Sequence, residues 1–187
     1  MSADARVGVM PAPLIFETMG TVVTLVTNVP LDDATAEAVK AAFSALDDRF
    51  SLYKPESEAS QVGHGRVGVR TASADYQEVY WAAVTWSEAT DRAFTPHRPD
   101  GVIDLSGVVK ARGIQAAADA LAAHGHTDWC LNAGGDVLVA GAQASGEPWV
   151  VGIVDPDDRT VLWTQFATGP GRLAVAITRD LTGWARW

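Results

Sequence analysis

The residues best suited to bind a charged group gather around one predicted helix start. Asp104, Ser106 and Lys110 all fall within the segment 103–110, Ile-Asp-Leu-Ser-Gly-Val-Val-Lys. A helix start presents free backbone N–H groups and the positive end of the helix dipole, which together bind phosphate at low cost. A carboxylate, a hydroxyl and a lysine at this place predict a cradle for a magnesium-bound diphosphate.

Each residue of this cradle also has a simpler explanation. Ser106 could serve only as the N-cap of the helix, and Asp104 could be a second cap. Lys110 lies in the first turn, where a cation opposes the dipole, so it could bind an anionic ligand or pair with Asp104. The segment 132–136, Asn-Ala-Gly-Gly-Asp, fits either a hairpin turn or a close approach of the backbone to a ligand. Both kinds of explanation stay open at this level.

Helices are predicted where apolar residues recur every three or four positions. In one of them Val79, Ala83 and Trp86 share the face that we expect to be buried. Ser106 is the expected cap of another, and Gly125 the residue that ends it. The predicted helices cover residues 32–50, 73–90 and 106–125.

Strands are predicted where β-branched and aromatic residues alternate or cluster between turn residues. Polar stretches rich in glycine, proline and serine, at 54–65 and 91–101, are predicted to be loops. The predicted strands cover residues 21–27, 66–70, 129–132, 137–140, 149–154 and 173–178. These elements predict an antiparallel meander packed with helices, which is an α+β fold in a single domain over residues 1–187.

Composition limits the classes of partner. The 187 residues carry a formal net charge of -9, which disfavours nucleic acid and anionic membranes as nonspecific partners. Cys130 is the only cysteine, so no intrachain disulfide can form, and its apolar neighbours predict a buried thiol. Residues 1–10 carry neither a signal peptide pattern nor a lipid-accepting cysteine, and no membrane span is encoded, which predicts a cytoplasmic protein. Zinc spacings, Walker loops and dinucleotide fingerprints are absent from the sequence.

The order of several short motifs along the chain resembles one family. Each motif is weak alone, but together they cover roughly residues 16–177. They are Met19-Gly20-Thr21, Phe50-Ser51-Leu52-Tyr53 with Ser57-Glu58-Ala59-Ser60, Ala93-Phe94-Thr95-Pro96, Asp104-Leu105-Ser106-Gly107-Val108-Val109-Lys110, and Asn132-Ala133-Gly134-Gly135-Asp136. In this order they resemble the FAD:protein FMN transferases, the ApbE-like flavin transferases long described as thiamine-biosynthesis lipoproteins, whose fold is of the T-fold type.

The resemblance implies an activity that composition could not show. Such enzymes use magnesium and FAD, attach FMN through a phosphoester to a Thr or Ser hydroxyl of an acceptor flavoprotein, and release AMP. By position, the backbone carbonyl of Val109 would be a magnesium ligand, and no residue here is assigned as catalytic. The residues that would contact FAD are Met19, Tyr53, Ala93, Phe94, Thr95, Asp104, Ser106, Lys110, Arg112 and Asp136.

The sequence departs from the family pattern in places. Thr95 stands where the family usually has Asp, and Lys110-Ala111-Arg112 replaces a Lys-Gly-Tyr run. The His-Ile-x-Asp-Pro motif expected after the last strand is missing, and Asp180 and Thr182 are poorly spaced substitutes. We therefore expect a truncated or degenerate transferase with impaired catalysis, the alternative being a non-catalytic FAD- or nucleotide-binding protein. Core-facing surface left uncovered would favour a homo-oligomer, and family members are often exported lipoproteins, unlike the cytoplasmic protein predicted here.

Overall fold

The computed structural model describes residues 11–155, 157–158, 160–169, 171 and 173–176. Within this part the chain forms two compact units. The helical unit contains Thr18–Gly20 and Glu37–Ala120, and the sheet unit contains the remaining described segments. Predictions made for residues 1–10 and 177–187 lie outside the described residues, and the single domain expected over residues 1–187 stays a prediction.

The helical unit is built from four α-helices and one short 3₁₀-helix. Apolar side chains of these helices form its core, which includes Phe50, Tyr76 and Leu105. The predicted long helices are confirmed, because their apolar stripes meet in this core. The bounds are α1 Asp33–Phe50, α2 Glu58–Gly63, the 3₁₀-helix Val69–Thr71, α3 Ala74–Ala89 and α4 Ser106–Ala123.

Three predictions fail in this unit. The loop expected at 54–65 contains α2, whose N-cap Ser57 accepts a hydrogen bond from the Ser60 N–H. The strand expected at 66–70 is absent; the 3₁₀-helix takes its place, because a short alternating segment with no strand beside it cannot form a ladder. Trp86 was expected on the buried face of α3, but it is 60% exposed, whereas Val79 and Ala83 are buried.

The sheet unit is organised around a five-stranded antiparallel sheet in the order β1-β2-β3-β4-β7. β5 and β6 form a separate two-stranded sheet. The α+β class is confirmed, although β1 and β6 were not predicted. The strands are β1 Leu14–Thr18, β2 Thr21–Thr27, β3 Trp129–Ala133, β4 Asp136–Ala140, β5 Val150–Val154, β6 Leu162–Ala167 and β7 Leu173–Val175.

Cys130 lies on β3 between two neighbouring strands. It is paired in register with Val26 on β2 and Val139 on β4. The side chain is half-buried, and burial raises the pKa of the thiol. The thiol is therefore partly buried, whereas its apolar neighbours predicted a buried one.

Helix length and hydropathy bear on membrane insertion. In the described part of the chain, every helix is too short or too polar to cross a bilayer.

Candidate functional site

The start of α4 is organised by Asp104. Its Oδ1 accepts a hydrogen bond from the Ser106 N–H at 2.9 Å, and the carbonyl of Leu105 accepts from the N–H groups of Val108 and Val109 at 3.0 Å each. Leu105 thus occupies the N-cap position and Ser106 is the first helical residue. The predicted capping role of Ser106 is wrong, and the alternative in which Asp104 caps the helix is confirmed.

The first turn of α4 keeps a donor available for a ligand. Among the described residues, the Gly107 N–H has no hydrogen-bond acceptor within its reach. Ser106 and Gly107 are exposed, and Lys110 is half-buried in the same turn. An exposed N–H at the positive end of an 18-residue helix is suited to an anionic group such as a phosphate.

The loop before α4 is anchored to the end of α3. Thr90 Oγ1 donates to the Trp86 carbonyl at 2.8 Å and accepts from the Phe94 N–H at 3.2 Å. Asp91 and Arg92 have φ values of 50° and 64°, which side-chain-bearing residues adopt at a cost of about 1 kcal/mol or more each. This strained turn fixes where Phe94 emerges beside α4.

The Phe94 ring packs directly on the first turn of α4. A Cβ added at Gly107 would lie 2.7 Å from Phe94 Cε2, closer than carbon atoms approach without overlap. Gly107 therefore allows a contact that any other residue would disturb. Ala93 and Thr95, on either side of Phe94, are exposed, and Thr95 Oγ1 accepts from the His97 N–H at 3.2 Å.

An open groove of about 450 Å³ runs between α3 and α4 within the helical unit. We call it the α3–α4 groove. At one side Arg112 is paired with Glu78 at 2.8 Å. Its lining includes Ala82, Trp86, Phe94, Gly107, Ala111 and Arg112.

Two further predicted residues belong to other segments of the helical unit. Tyr53 is 96% exposed on the loop before α2. That loop is held by buried Ser60, whose Oγ donates to the Leu52 carbonyl at 3.1 Å. Met19 and Gly20 both have positive φ, 51° and 69°, as a two-residue type I′ turn requires. The Met19 side chain is partly buried and packs against the helical core.

Asp136 lies in the sheet unit, at the first position of β4. The turn before it has φ values of 63° at Gly134 and 103° at Gly135. Two hydrogen bonds hold this turn. The Gly134 N–H donates to the Val22 carbonyl at 3.2 Å, and the Gly135 N–H donates to Asn132 Oδ1 at 2.8 Å. The hairpin explanation of both glycines is therefore confirmed.

The resemblance implies a magnesium site. In the part of the chain that the structure describes, no group of three or more His, Cys, Asp or Glu side chains could hold a metal ion. Val109, the expected ligand through its carbonyl, is 0% exposed. Magnesium ligation by the Val109 carbonyl stays a prediction, and no step is derived through that ion.

The core beneath the start of α4 contains an unusual polar atom. Tyr76 is 0% exposed, and within the described residues its hydroxyl has no hydrogen-bond partner. Burial raises the pKa of Tyr76 to about 12, and the charges of Glu58, Tyr80 and Asp104 act in the same direction. The side chain is therefore held neutral under any physiological condition.

The fold of this chain is similar to that of known proteins. The solved structure of the flavin transferase ApbE from Vibrio cholerae superposes with a TM-score of 0.74 at 20% identity, covering 91% of this chain and 72% of that one. The ApbE protein from Thermotoga maritima superposes with a TM-score of 0.69 at 18% identity, covering 86% and 68%. The chain therefore has the α+β fold of these proteins.

The sequence comparison is more specific. A curated FAD:protein FMN transferase from Vibrio cholerae is 32% identical over 84 residues, which is 44% of this chain and 24% of that protein. The model of the ApbE family matches residues 19–99 and 95–176. This chain belongs to the ApbE family.

The structure brings together only part of the predicted site. Asp104, Ser106 and Lys110 share the start of α4, and Phe94 and Arg112 line the α3–α4 groove beside it. Contact of any predicted residue with FAD stays a prediction. Sequence reasoning missed Trp86, Thr90 and Gly107 as site residues. Of these three, only Gly107 had a sequence signal, because it lies within the Asp104–Lys110 motif.

Proposed function

We propose that this chain is an FAD:protein FMN transferase that binds FAD with a phosphate at the start of α4. The observation that carries the proposal is the exposed, unengaged N–H of Gly107 beside the capping carboxylate of Asp104. Family membership supports it, as does the activity for which the Vibrio cholerae relative is named. Because the chain aligns with about a quarter of that relative, the activity itself is the proposal.

The proposed binding geometry follows from charge. A diphosphate needs donors and positive potential, which the first turn of α4 offers through its N–H groups and dipole. Lys110 adds a cation in the same turn. The Asp104 carboxylate is engaged by the Ser106 N–H, so its role is to fix the turn and hold the Gly107 N–H outward.

The proposed reaction is a phosphoryl transfer. The hydroxyl oxygen of a Thr or Ser in the acceptor protein attacks the phosphorus on the FMN side of FAD. The bond between that phosphorus and the bridging oxygen breaks, AMP leaves with that oxygen, and the hydroxyl proton is lost. Positioning and charge stabilisation supply most of the catalysis in such reactions. Magnesium dependence is part of the proposal and rests on the resemblance alone.

The test is a calorimetric titration of the whole chain with FAD, in magnesium and again in EDTA, followed by chromatography for AMP after addition of an acceptor flavoprotein that carries a Thr or Ser target. Saturable binding in magnesium with AMP release supports the transferase. Binding without AMP release, with or without magnesium, favours the non-catalytic FAD-binding alternative. No binding in either condition contradicts the proposal.

A variant pair ties any binding to α4. Ser106→Leu places bulk at the exposed first position of the helix, and Ala123→Leu places the same bulk at its exposed last position. We expect FAD affinity to fall at least tenfold for the first and to stay within twofold for the second, estimates that assume loss of a phosphate contact of about 1.4 kcal/mol or more. Equal affinities would place the ligand away from α4.

A further inference from the structure

We propose that the α3–α4 groove is a binding subsite for a planar aromatic ring, with Trp86 as its principal contact. The inference rests on the proposed function, because the ring is taken to belong to FAD. Trp86 is outside the motifs through which the sequence resembles its family, and its side chain has no role in the core.

Small residues on both helices form the floor of the groove. Ala82 of α3 and Gly107 and Ala111 of α4 all line it. Residues four apart lie on the same helix face, so Gly107 and Ala111 stack along α4, as Ala82 and Trp86 do along α3. Large side chains at these positions would fill the space. The absence of bulk leaves an open volume of about 450 Å³, within the range of about 300–1,000 Å³ of small-molecule pockets.

Two aromatic side chains border this floor. Trp86 is 60% exposed, and Phe94 is half-buried with its ring against Gly107. Thr90 Oγ1 donates to the Trp86 carbonyl and accepts from the Phe94 N–H, so one hydrogen-bond network links the backbones that carry the two rings. Aromatic side chains that line an open groove are suited to stacking a flat ring system.

Continuity with the helix start indicates the occupant. Gly107 both lines the groove and carries the unengaged N–H proposed to bind phosphate. A ligand with a phosphate joined to a flat ring could occupy both places at once. Arg112, which also lines the groove, is paired with Glu78, so it borders the groove without adding net charge. FAD carries two such rings, the flavin and the adenine, and either would provide the same stacking chemistry.

The test compares two exposed tryptophans of the same helix. Trp86 is 60% exposed and lines the groove, whereas Trp81 is 57% exposed and is packed edge-on against Tyr80. We expect Trp86→Ala to weaken FAD binding about tenfold, the usual effect of losing one stacking partner. Trp81→Ala should stay within twofold. Trp86→Phe should restore most of the affinity, and FAD should quench less tryptophan fluorescence in Trp86→Phe than in the wild type.

Separate titrations with FMN and with ADP identify the ring. If Trp86→Ala weakens FMN binding alone, the flavin occupies the groove; if it weakens ADP binding alone, the adenine does. The subsite is overturned, with the proposed function intact, if the wild type binds FAD and Trp86→Ala binds it equally well. Failure of the wild type to bind FAD, FMN and ADP overturns both proposals. Thermal melts of each variant verify that the fold is retained.

Discussion

The start of α4 and the β3–β4 turn both carry a glycine motif, and they need glycine for different reasons. In the turn, Gly134 has a φ of 63°, and a Cβ there would overlap the Thr21 hydroxyl and lie 3.1 Å from Thr21 Cβ. In α4, Gly107 has no positive φ, and the atoms nearest to an added Cβ belong to the Phe94 ring. The turn glycine is required by the backbone and the helix glycine by a neighbouring side chain.

This difference separates folding from binding. A motif that the backbone requires is explained without any ligand, as the Gly134-Gly135 turn is by its own hydrogen bonds. At Gly107 the helical backbone does not require glycine, because glycine within a helix costs about 1 kcal/mol of stability relative to alanine. Its presence at an exposed position of α4 is explained by the Phe94 contact and the groove that the contact borders.

The largest effect on stability is expected for Gly134→Ala. An alanine there must adopt a left-handed conformation and also displace Thr21, a β-branched residue with little freedom at χ1. Adding the two penalties gives a loss of about 3 to 5 kcal/mol in the free energy of unfolding. Urea unfolding followed by circular dichroism measures it.

Gly20→Ala is the matched control for the turn. Its φ is 69°, but nothing lies within 4 Å of an added Cβ. Only the backbone penalty applies, so we expect a loss of about 1 kcal/mol. If the two variants lose equal stability, the steric part of the argument for Gly134 is wrong and the turn needs only its positive φ.

An intermediate effect, of opposite sign, is expected in the core beneath α4. Tyr76→Phe removes a buried hydroxyl that has no partner among the described residues. Leaving such a group unpaired costs about 1 to 3 kcal/mol, so the variant should be more stable than the wild type at pH 7, by about 1 kcal/mol or more. A loss of stability would show that the hydroxyl is bonded after all.

The same variant predicts a pH dependence. Burial raises the folded-state pKa of Tyr76 to about 12, whereas an unfolded tyrosine titrates near about 10. The unfolded chain therefore releases its proton first, and wild-type stability should fall as pH rises through this window. We expect Tyr76→Phe to fall less steeply over the same pH range, measured by urea unfolding at each pH. Parallel curves would contradict the pKa assignment.

The long elements could be predicted because their sequence period determines their contacts. Apolar residues at helical spacing predicted α1, and two of them, Val39 and Phe43, are 0% and 1% exposed in the structure. The α+β fold class was predicted from the order of the helices and strands. The side of α3 that carries Trp86 could not be assigned in the same way. Val79, Ala83 and Trp86 form one apolar stripe, but the core ends before it reaches the tryptophan, and only tertiary packing decides where.

The site shows the same division. Asp104 and Ser106 were found because capping is a local interaction, although Asp104 rather than Ser106 supplies the side-chain acceptor in the structure. The groove depends on two helices that are distant in sequence, so no spacing within either one marks Ala82 or Ala111 as its floor. Magnesium ligation by the Val109 carbonyl was expected from motif position alone and stays a prediction.

The smallest effect on stability is expected for Gly107→Ala, and its comparison with Gly113→Ala tests whether α4 uses its glycines as proposed. At Gly113 an added Cβ would lie 2.7 and 2.9 Å from two atoms of Phe43, which is 1% exposed and cannot move aside. Overpacking of about 1 to 3 kcal/mol outweighs the gain of about 1 kcal/mol in helix propensity. Gly113→Ala should therefore be destabilised by about 1 to 2 kcal/mol.

At Gly107 the same substitution meets the Phe94 ring, which is half-buried, so we expect this ring to shift more readily than that of the buried Phe43. The propensity gain then offsets the displacement, so the free energy of unfolding should stay within about 0.5 kcal/mol of wild type. The displaced ring narrows the α3–α4 groove, and we expect FAD affinity to fall about fivefold, a loss of about 1 kcal/mol. Gly113→Ala should retain wild-type affinity when assayed well below its melting temperature. If Gly107→Ala instead lowers the free energy of unfolding and leaves the affinity for FAD unchanged, the Phe94 contact stabilises the fold. Gly107 and Gly113 would then both be required for packing alone.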